Sequence, residues 1–144
     1  MLQRIQTVYL LIALALVASS SALPWVTYLQ EGASTQFMVG QNALAVYALA
    51  AATCFTIIAA TLAFKDRKRQ MLLIKVAMVD AVLLLGIFSV LHYLQINALS
   101  ATGALELAYG FGPVLPIVSL ILLWMAHKGV KKDDDLVRSV DRLR

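Results

Sequence analysis

The sequence predicts an all-α protein: a four-helix transmembrane bundle with N-terminus and C-terminus cytoplasmic and a short amphipathic tail helix. Three observations predict it. Of the 144 residues, 61% are hydrophobic and only 14% charged, where soluble domains run closer to half apolar and a quarter charged. The apolar residues fall into four runs, each near the roughly 20 residues a helix needs to cross about 30 Å of hydrocarbon. Apart from Lys75, the lysines and arginines lie before the first run, between the second and third, and after the fourth.

The first span covers about residues 5–23 and ends before Pro24 and Trp25. The second covers about 43–64, the third about 71–94 and the fourth about 107–127. Residues 1–129 thus form the bundle and 130–144 the tail. Backbone groups left unpaired in lipid cost several kcal/mol each, so the runs are helices; a barrel would show short alternating strands. Arg4 precedes the first span, Lys65, Arg67, Lys68 and Arg69 fill the gap between the second and third, and Lys128, Lys131, Lys132, Arg138, Arg142 and Arg144 follow the fourth. The stretches 24–42 and 95–106 read as outer loops and hold no Lys or Arg. The positive-inside rule then puts both ends and the middle loop in the cytoplasm. Trp25, Tyr28, Tyr47, Tyr93 and Tyr109 fall near outer span ends and Trp124 near an inner one, the headgroup depth such rings prefer.

The first run also has the parts of a secretory signal: Arg4, an apolar stretch from Val8 to Val17 and small residues Ala18 to Ala22. Cleavage would leave three spans. The run reaches full spanning length once Ser19 to Leu23 are included, which favours an uncleaved helix. The two helix pairs share no matching pattern, so an inverted-repeat transporter is not supported.

A net charge of +4 does not point to nucleic acid, because the basic residues flank apolar runs and form no stripe with interleaved aromatics. Anionic headgroups of the lipid bilayer are their natural partner, at about 1 kcal/mol per charge. Cys54 is alone, which excludes an internal disulfide and a thiolate metal cluster.

Asp80 lies about ten residues into the third span, where a carboxylate costs on the order of 3 kcal/mol. It must be protonated, paired or facing water. At its depth the second and fourth spans offer the hydroxyls of Thr56 and Ser119. Lys75 stands some 140° around the helix and snorkels toward the headgroups. Asp80 reads either as an interhelical lock or as a proton site. Ala48, Ala52, Thr56 and Ala60 form a small-residue stripe at four-residue spacing, suited to close helix packing within the chain or with another protein. Gly110, Phe111, Gly112 and Pro113 open the fourth span, and Pro116 is expected to bend its outer third. His92 and His127 lie on opposite sides of the membrane and cannot share a metal. No nucleophile with a base, phosphate loop or metal cluster is found, so neither enzyme activity nor a cofactor is expected.

In the tail, Asp133, Asp134 and Asp135 followed by Arg138 and Arg142 match a helix dipole, and Leu136, Val140 and Leu143 make a narrow apolar stripe. A helix this short needs a docking surface: headgroups, the 65–70 loop or a partner. Arg4, Arg67, Lys68, Arg69, Leu136, Arg138, Val140, Arg142 and Leu143 are accordingly the expected cytoplasmic contacts to lipid or partner.

The opening Met1-Leu2-Gln3-Arg4-Ile5-Gln6-Thr7-Val8-Tyr9-Leu10, the loop Asp66 to Gln70 and the closing stretch Lys132 to Arg144 resemble a family of small four-helix inner-membrane proteins from Bacteroidota, described only as a domain of unknown function. The resemblance covers the whole chain and implies a bacterial inner membrane; it carries no catalytic or binding residues. Two functions follow as expectations. The first is a non-enzymatic accessory or scaffold subunit of a larger inner-membrane complex, such as a protein-export machinery, with a membrane-protein partner or further copies of itself. The alternative is a small oligomeric transporter or proton-coupled carrier using Asp80.

Overall fold

The computed structural model describes residues 2–30, 33–38, 44–100 and 105–141. Four helices are present: α1 Leu2–Ser20, α2 Leu44–Leu62, α3 Arg67–Ser100 and α4 Val114–Asp141. By length and composition α2, α3 and α4 can each cross a membrane, while the apolar part of α1, Ile5–Ser20, is shorter. Around the bundle α1 packs on α4, α4 on α3, α3 on α2 and α2 back on α1. The start of α1, the end of α4 and the α2–α3 turn therefore meet at one end, the basic end.

Each helix buries a single stripe spaced alternately by four and three. In α1 it is Gln6, Leu10, Ala13, Val17 and Ser20; in α2, Val46, Ala50, Thr53, Ile57 and Ala60. In α3 it is Gln70, Ile74, Ala77, Ala81, Leu84 and Phe88, and in α4, Ser119, Leu123, Ala126, Val130 and Asp133. Such a seam suits helices crossing at about 20°. Alanines along it let the backbones come close. The opposite faces expose Leu11, Phe55, Leu62, Val79, Val82 and Ile121. So much exposed apolar surface would drive association in water, whereas lipid solvates it. The chain is built as a membrane protein.

Local signals set the helix ends. The hydroxyls of Ser20 and Ser21 donate to the carbonyls of Val17 and Ala18, using up acceptors that the end of α1 leaves unpaired. Asp66 starts α3, its Oδ1 accepting from the Arg69 amide at 3.1 Å, an N-cap arrangement. Pro116 is the third residue of α4. Its missing N–H thus falls in the first turn, where none is needed, and the bend expected in the outer third loses its cause.

The other end carries a sheet where loops were expected. Strands β1 Pro24–Gln30, β2 Ala33–Met38 and β3 Leu105–Tyr109 pair antiparallel in the order β2-β1-β3, with Tyr28 opposite Leu107 and Thr35. Two expected boundaries shift as a result. α3 runs on to Ser100, beyond 94, and the fourth helix begins at Val114 rather than 107, because 105–109 is a strand. Hydropathy merges Leu107-Ala108-Tyr109 with the span that follows, but the near-alternation of Leu105-Glu106-Leu107-Ala108-Tyr109 is a strand pattern. β1 is rich in the β-branched and aromatic residues that suit a pleated, half-buried surface. A bulge between Pro24 and Val26 re-aims a side chain, as bulges do, and consecutive Trp25 and Val26 are both fully buried. With Tyr28, Val46, Ala50, Leu84 and Phe88 they form a second core under the sheet. The first core, around Leu10, Ile57, Ile74 and Leu123, lies nearer the basic end.

The tail is the second correction. α4 continues unbroken through Gly129 to Asp141, so 130–141 is the projecting end of the fourth helix and not a separate element. At 1.5 Å per residue its 28 residues reach about 42 Å, past a bilayer core of about 30 Å.

Candidate functional site

Polar groups gather at three depths. Midway along the bundle, Thr56 Oγ1 lies 2.9 Å from the Thr53 carbonyl and 3.2 Å from Asp80 Oδ2. The expected Thr56–Asp80 pairing between α2 and α3 is therefore formed. Ser119 does not join it: its hydroxyl donates to the Pro116 carbonyl at 2.7 Å within α4. The small-residue stripe also divides. Ala60 is buried, Thr56 half-buried, and Ala48 and Ala52 exposed. A strict four-residue step advances about 40° beyond one full turn each time. Over three steps the row rotates off the α2 seam, and its first two alanines face outward.

At the basic end Asp133 is the junction. Gln6 Nε2 donates to Asp133 Oδ2 at 2.8 Å, with both residues buried at 3% and 9% exposure. Arg67 Nη1 donates to the Asp133 backbone carbonyl at 2.9 Å. One residue of α4 is thus held by α1 and by the start of α3. Charge-assisted contacts of this kind are the stronger hydrogen bonds, about 1.5–3 kcal/mol each. The next turn carries the Asp134–Arg138 ion pair at 2.8 Å, whose exposed arginine leaves it worth little.

The expected contact residues fare unequally. Arg67 belongs to the junction, while Lys68, Arg69 and Arg138 are exposed around it. Leu136 is 51% exposed, so the docked face of the tail is led by Asp133 instead of the Leu136 stripe. The side chains of Arg4 and Val140, and residues Arg142 and Leu143, lie outside the described part. Gln6 and Asp133 were missed because a glutamine near a helix start and one acid of three look solvated. The available signal was their place in the four-three rows.

Between α3 and α4 at this end lies a cleft of about 430 Å³ lined by Lys68, Met71, Leu72, Lys75, His127, Lys131, Asp134, Asp135 and Arg138. Nearby, Lys128 Nζ sits 3.7 Å over the Trp124 ring, a cation–π pair at the level where Trp124 was expected as an interface anchor.

At the sheet end Tyr28 and Tyr109, two of the aromatics read as separate anchors, meet at His92. The Tyr28 hydroxyl is 2.7 Å from His92 Nδ1, and His92 Nε2 is 3.3 Å from the Tyr109 hydroxyl. Phe88 stacks on the imidazole at 5.7 Å between centroids. A neutral imidazole in either tautomer satisfies both phenols, since a hydroxyl donates and accepts. Burial first, and Tyr109 second, push the Tyr28 phenol up, which keeps its proton on. Trp25 donates from Nε1 to the Ser20 carbonyl at 2.9 Å and sets its edge against Phe88 at 4.5 Å. This is a packed lid with a polar centre. Among the described residues no three of His, Cys, Asp and Glu come together as a metal site.

No curated protein matches the chain. The family model described as Domain of unknown function (DUF4293) matches residues 2–143, and the chain belongs to that family.

Proposed function

We propose that the chain is a four-span protein of a bacterial inner membrane that serves as a non-enzymatic accessory or scaffold subunit of a larger complex, of which a protein-export machinery is one example. Its basic end faces the cytoplasm, by the distribution of Lys and Arg. α1 counts as the fourth span because it lies along α4, with Gln6 bonded to Asp133 at one end and Ser20 bonded to Trp25, which packs at Gly112, at the other. The observation that carries the reading is the Asp133 junction. It draws α1, α3 and α4 together where α4 leaves the bundle, giving a fixed platform for a partner. The exposed Ala48 and Ala52 offer a second, membrane-level surface for a partner helix or another copy.

Extraction in mild detergent followed by native mass measurement tests this. The expected result is a species heavier than the 15.7 kDa chain, carrying a second polypeptide. A strictly monomeric species without a partner overturns it.

A carrier that uses Asp80 is the second reading, and one observation favours it. The Thr56 hydroxyl is shared between the Thr53 carbonyl and Asp80 Oδ2, so the intramembrane Asp80 carboxyl is held by a divided hydrogen bond. As a lock alone, the pair should be worth about 1 kcal/mol, the scale of hydrogen bonds between helices in membranes. Thr56→Val and Asp80→Asn should each shift unfolding free energy in detergent by about that much and leave partner retention intact. Loss of cellular function in Asp80→Asn with stability and assembly unchanged would move the assignment to the carrier.

A further inference from the structure

The cleft between α3 and α4 has an arrangement that scattered juxtamembrane charge does not explain. Lys68 and Lys75 are seven residues apart, so they share one face of α3, with Met71 and Leu72 between them. Facing them, His127 and Lys131 are one turn apart on α4, and all six line the same cleft. Asp134 is engaged by Arg138, which leaves three lysines against Asp135. Lys75 stands two turns into α3, alongside apolar Leu72 and Val76 that are exposed on the same helix. The lining thus sets the apolar Met71 and Leu72 among Lys68, Lys75 and Lys131.

From this geometry we infer that the cleft binds one anionic phospholipid by its headgroup phosphate. The phosphodiester oxygens accept from Lys68, Lys75 and Lys131, and the acyl chains follow Met71 and Leu72 outward. Trp124, exposed with Lys128 over its ring, sits one turn from His127 and marks the headgroup level. A lipid is the occupant because only a ligand with both a phosphate and an apolar body fits both parts of the lining. The assignment rests on α3 and α4 crossing a bilayer, as proposed above.

The test is native mass spectrometry of the full chain purified in detergent and offered phosphatidylglycerol or phosphatidylcholine. Wild type should retain phosphatidylglycerol selectively. Lys75→Gln with Lys131→Gln should cut that retention by about tenfold or more, since each basic group near anionic lipid contributes severalfold. Lys75→Arg with Lys131→Arg should keep most of it, which separates loss of charge from loss of fold. Lys128→Gln, outside the cleft lining, should leave it unchanged. Equal retention of the two lipids, or an equal loss in Lys128→Gln, overturns the site. Displacement of the lipid by millimolar inorganic phosphate would assign the cleft to a soluble phosphate and overturn the lipid. Orientation is read separately by labelling Lys132→Cys with an impermeant thiol reagent in spheroplasts. Labelling from outside with selective retention would remove the topology and keep the site; shielding with no retention would do the reverse.

Discussion

Gly110→Ala and Gly112→Ala are each expected to destabilise the protein by roughly 1–3 kcal/mol, the range for forcing a methyl group into a packed core. A Cβ on Gly110 would stand 2.1 Å from the Pro24 carbonyl oxygen, and one on Gly112 would stand 2.2 Å from Cδ1 of Trp25. Neither neighbour can move cheaply. Pro24 is backbone, held by the Gly112 amide donating to its carbonyl at 3.2 Å, and Gly110 donates to the Trp25 carbonyl at 3.1 Å. Trp25 is fully buried, with its indole nitrogen bonded to Ser20 and its ring against Phe88. Unfolding in detergent, followed by denaturant or heat, measures the loss. Gly86→Ala is the control: nothing lies within 4 Å of the added atom, so it should be neutral or stabilising by up to about 1 kcal/mol. A double-mutant cycle assigns the clash. With Trp25→Leu already present, Gly112→Ala should cost much less; full additivity would mean that the indole is not the obstacle.

These glycines also show what hydropathy can and cannot reveal. Gly110-Phe111-Gly112-Pro113 read as the opening of a span, and the proline at its end does stand at the start of the helix. The glycines' reason for being there was not legible, because it depends on β1, which returns from about 85 residues earlier in the chain to lie against them. Long apolar runs and the placement of Lys and Arg depend on the solvent around a segment and survive without tertiary contacts. That is why the four helices and the gathering of basic segments at one end were readable. Register depends on which face meets a neighbour. In lipid both faces of a helix are apolar, so the periodicity that marks a core in water fades. The seams of Ala50, Ala60, Ala77, Ala81 and Ala126 were hidden among equally apolar residues, and the four-residue row from Ala48 to Ala60 was the more visible of two patterns on α2. Polar residues carried the better signal. Thr56 and Asp80 were paired by depth alone. Ser119 was not, because a hydroxyl in a helix always has the carbonyl of its own preceding turn within reach.

Asp133→Ala is expected to be the most damaging change at the basic end. It leaves the buried Gln6 amide without its acceptor, which costs about 1–3 kcal/mol for a group that cannot reach water. Asp133→Asn should recover most of this, because its side-chain oxygen still accepts from Gln6 Nε2. The Arg67 contact should persist in both variants, since it is made to the Asp133 backbone carbonyl. The alanine variant should therefore loosen α4 from α1 without melting the spans. Limited proteolysis ought to cut beyond Gly129 faster in Asp133→Ala than in wild type or Asp133→Asn, while resistance within α2 and α3 is unchanged. Partner retention decides what the junction is for. If the platform is the contact surface, Asp133→Ala should shed the copurifying polypeptide and Asp133→Asn should keep it, with truncation after Gly129 shedding it fully. Should the partner stay bound while α4 becomes protease-sensitive, the contact lies elsewhere. The exposed Ala48 and Ala52 on α2 would then be the surface to alter next, and the Gln6–Asp133 bond would be a device for holding α1 against α4.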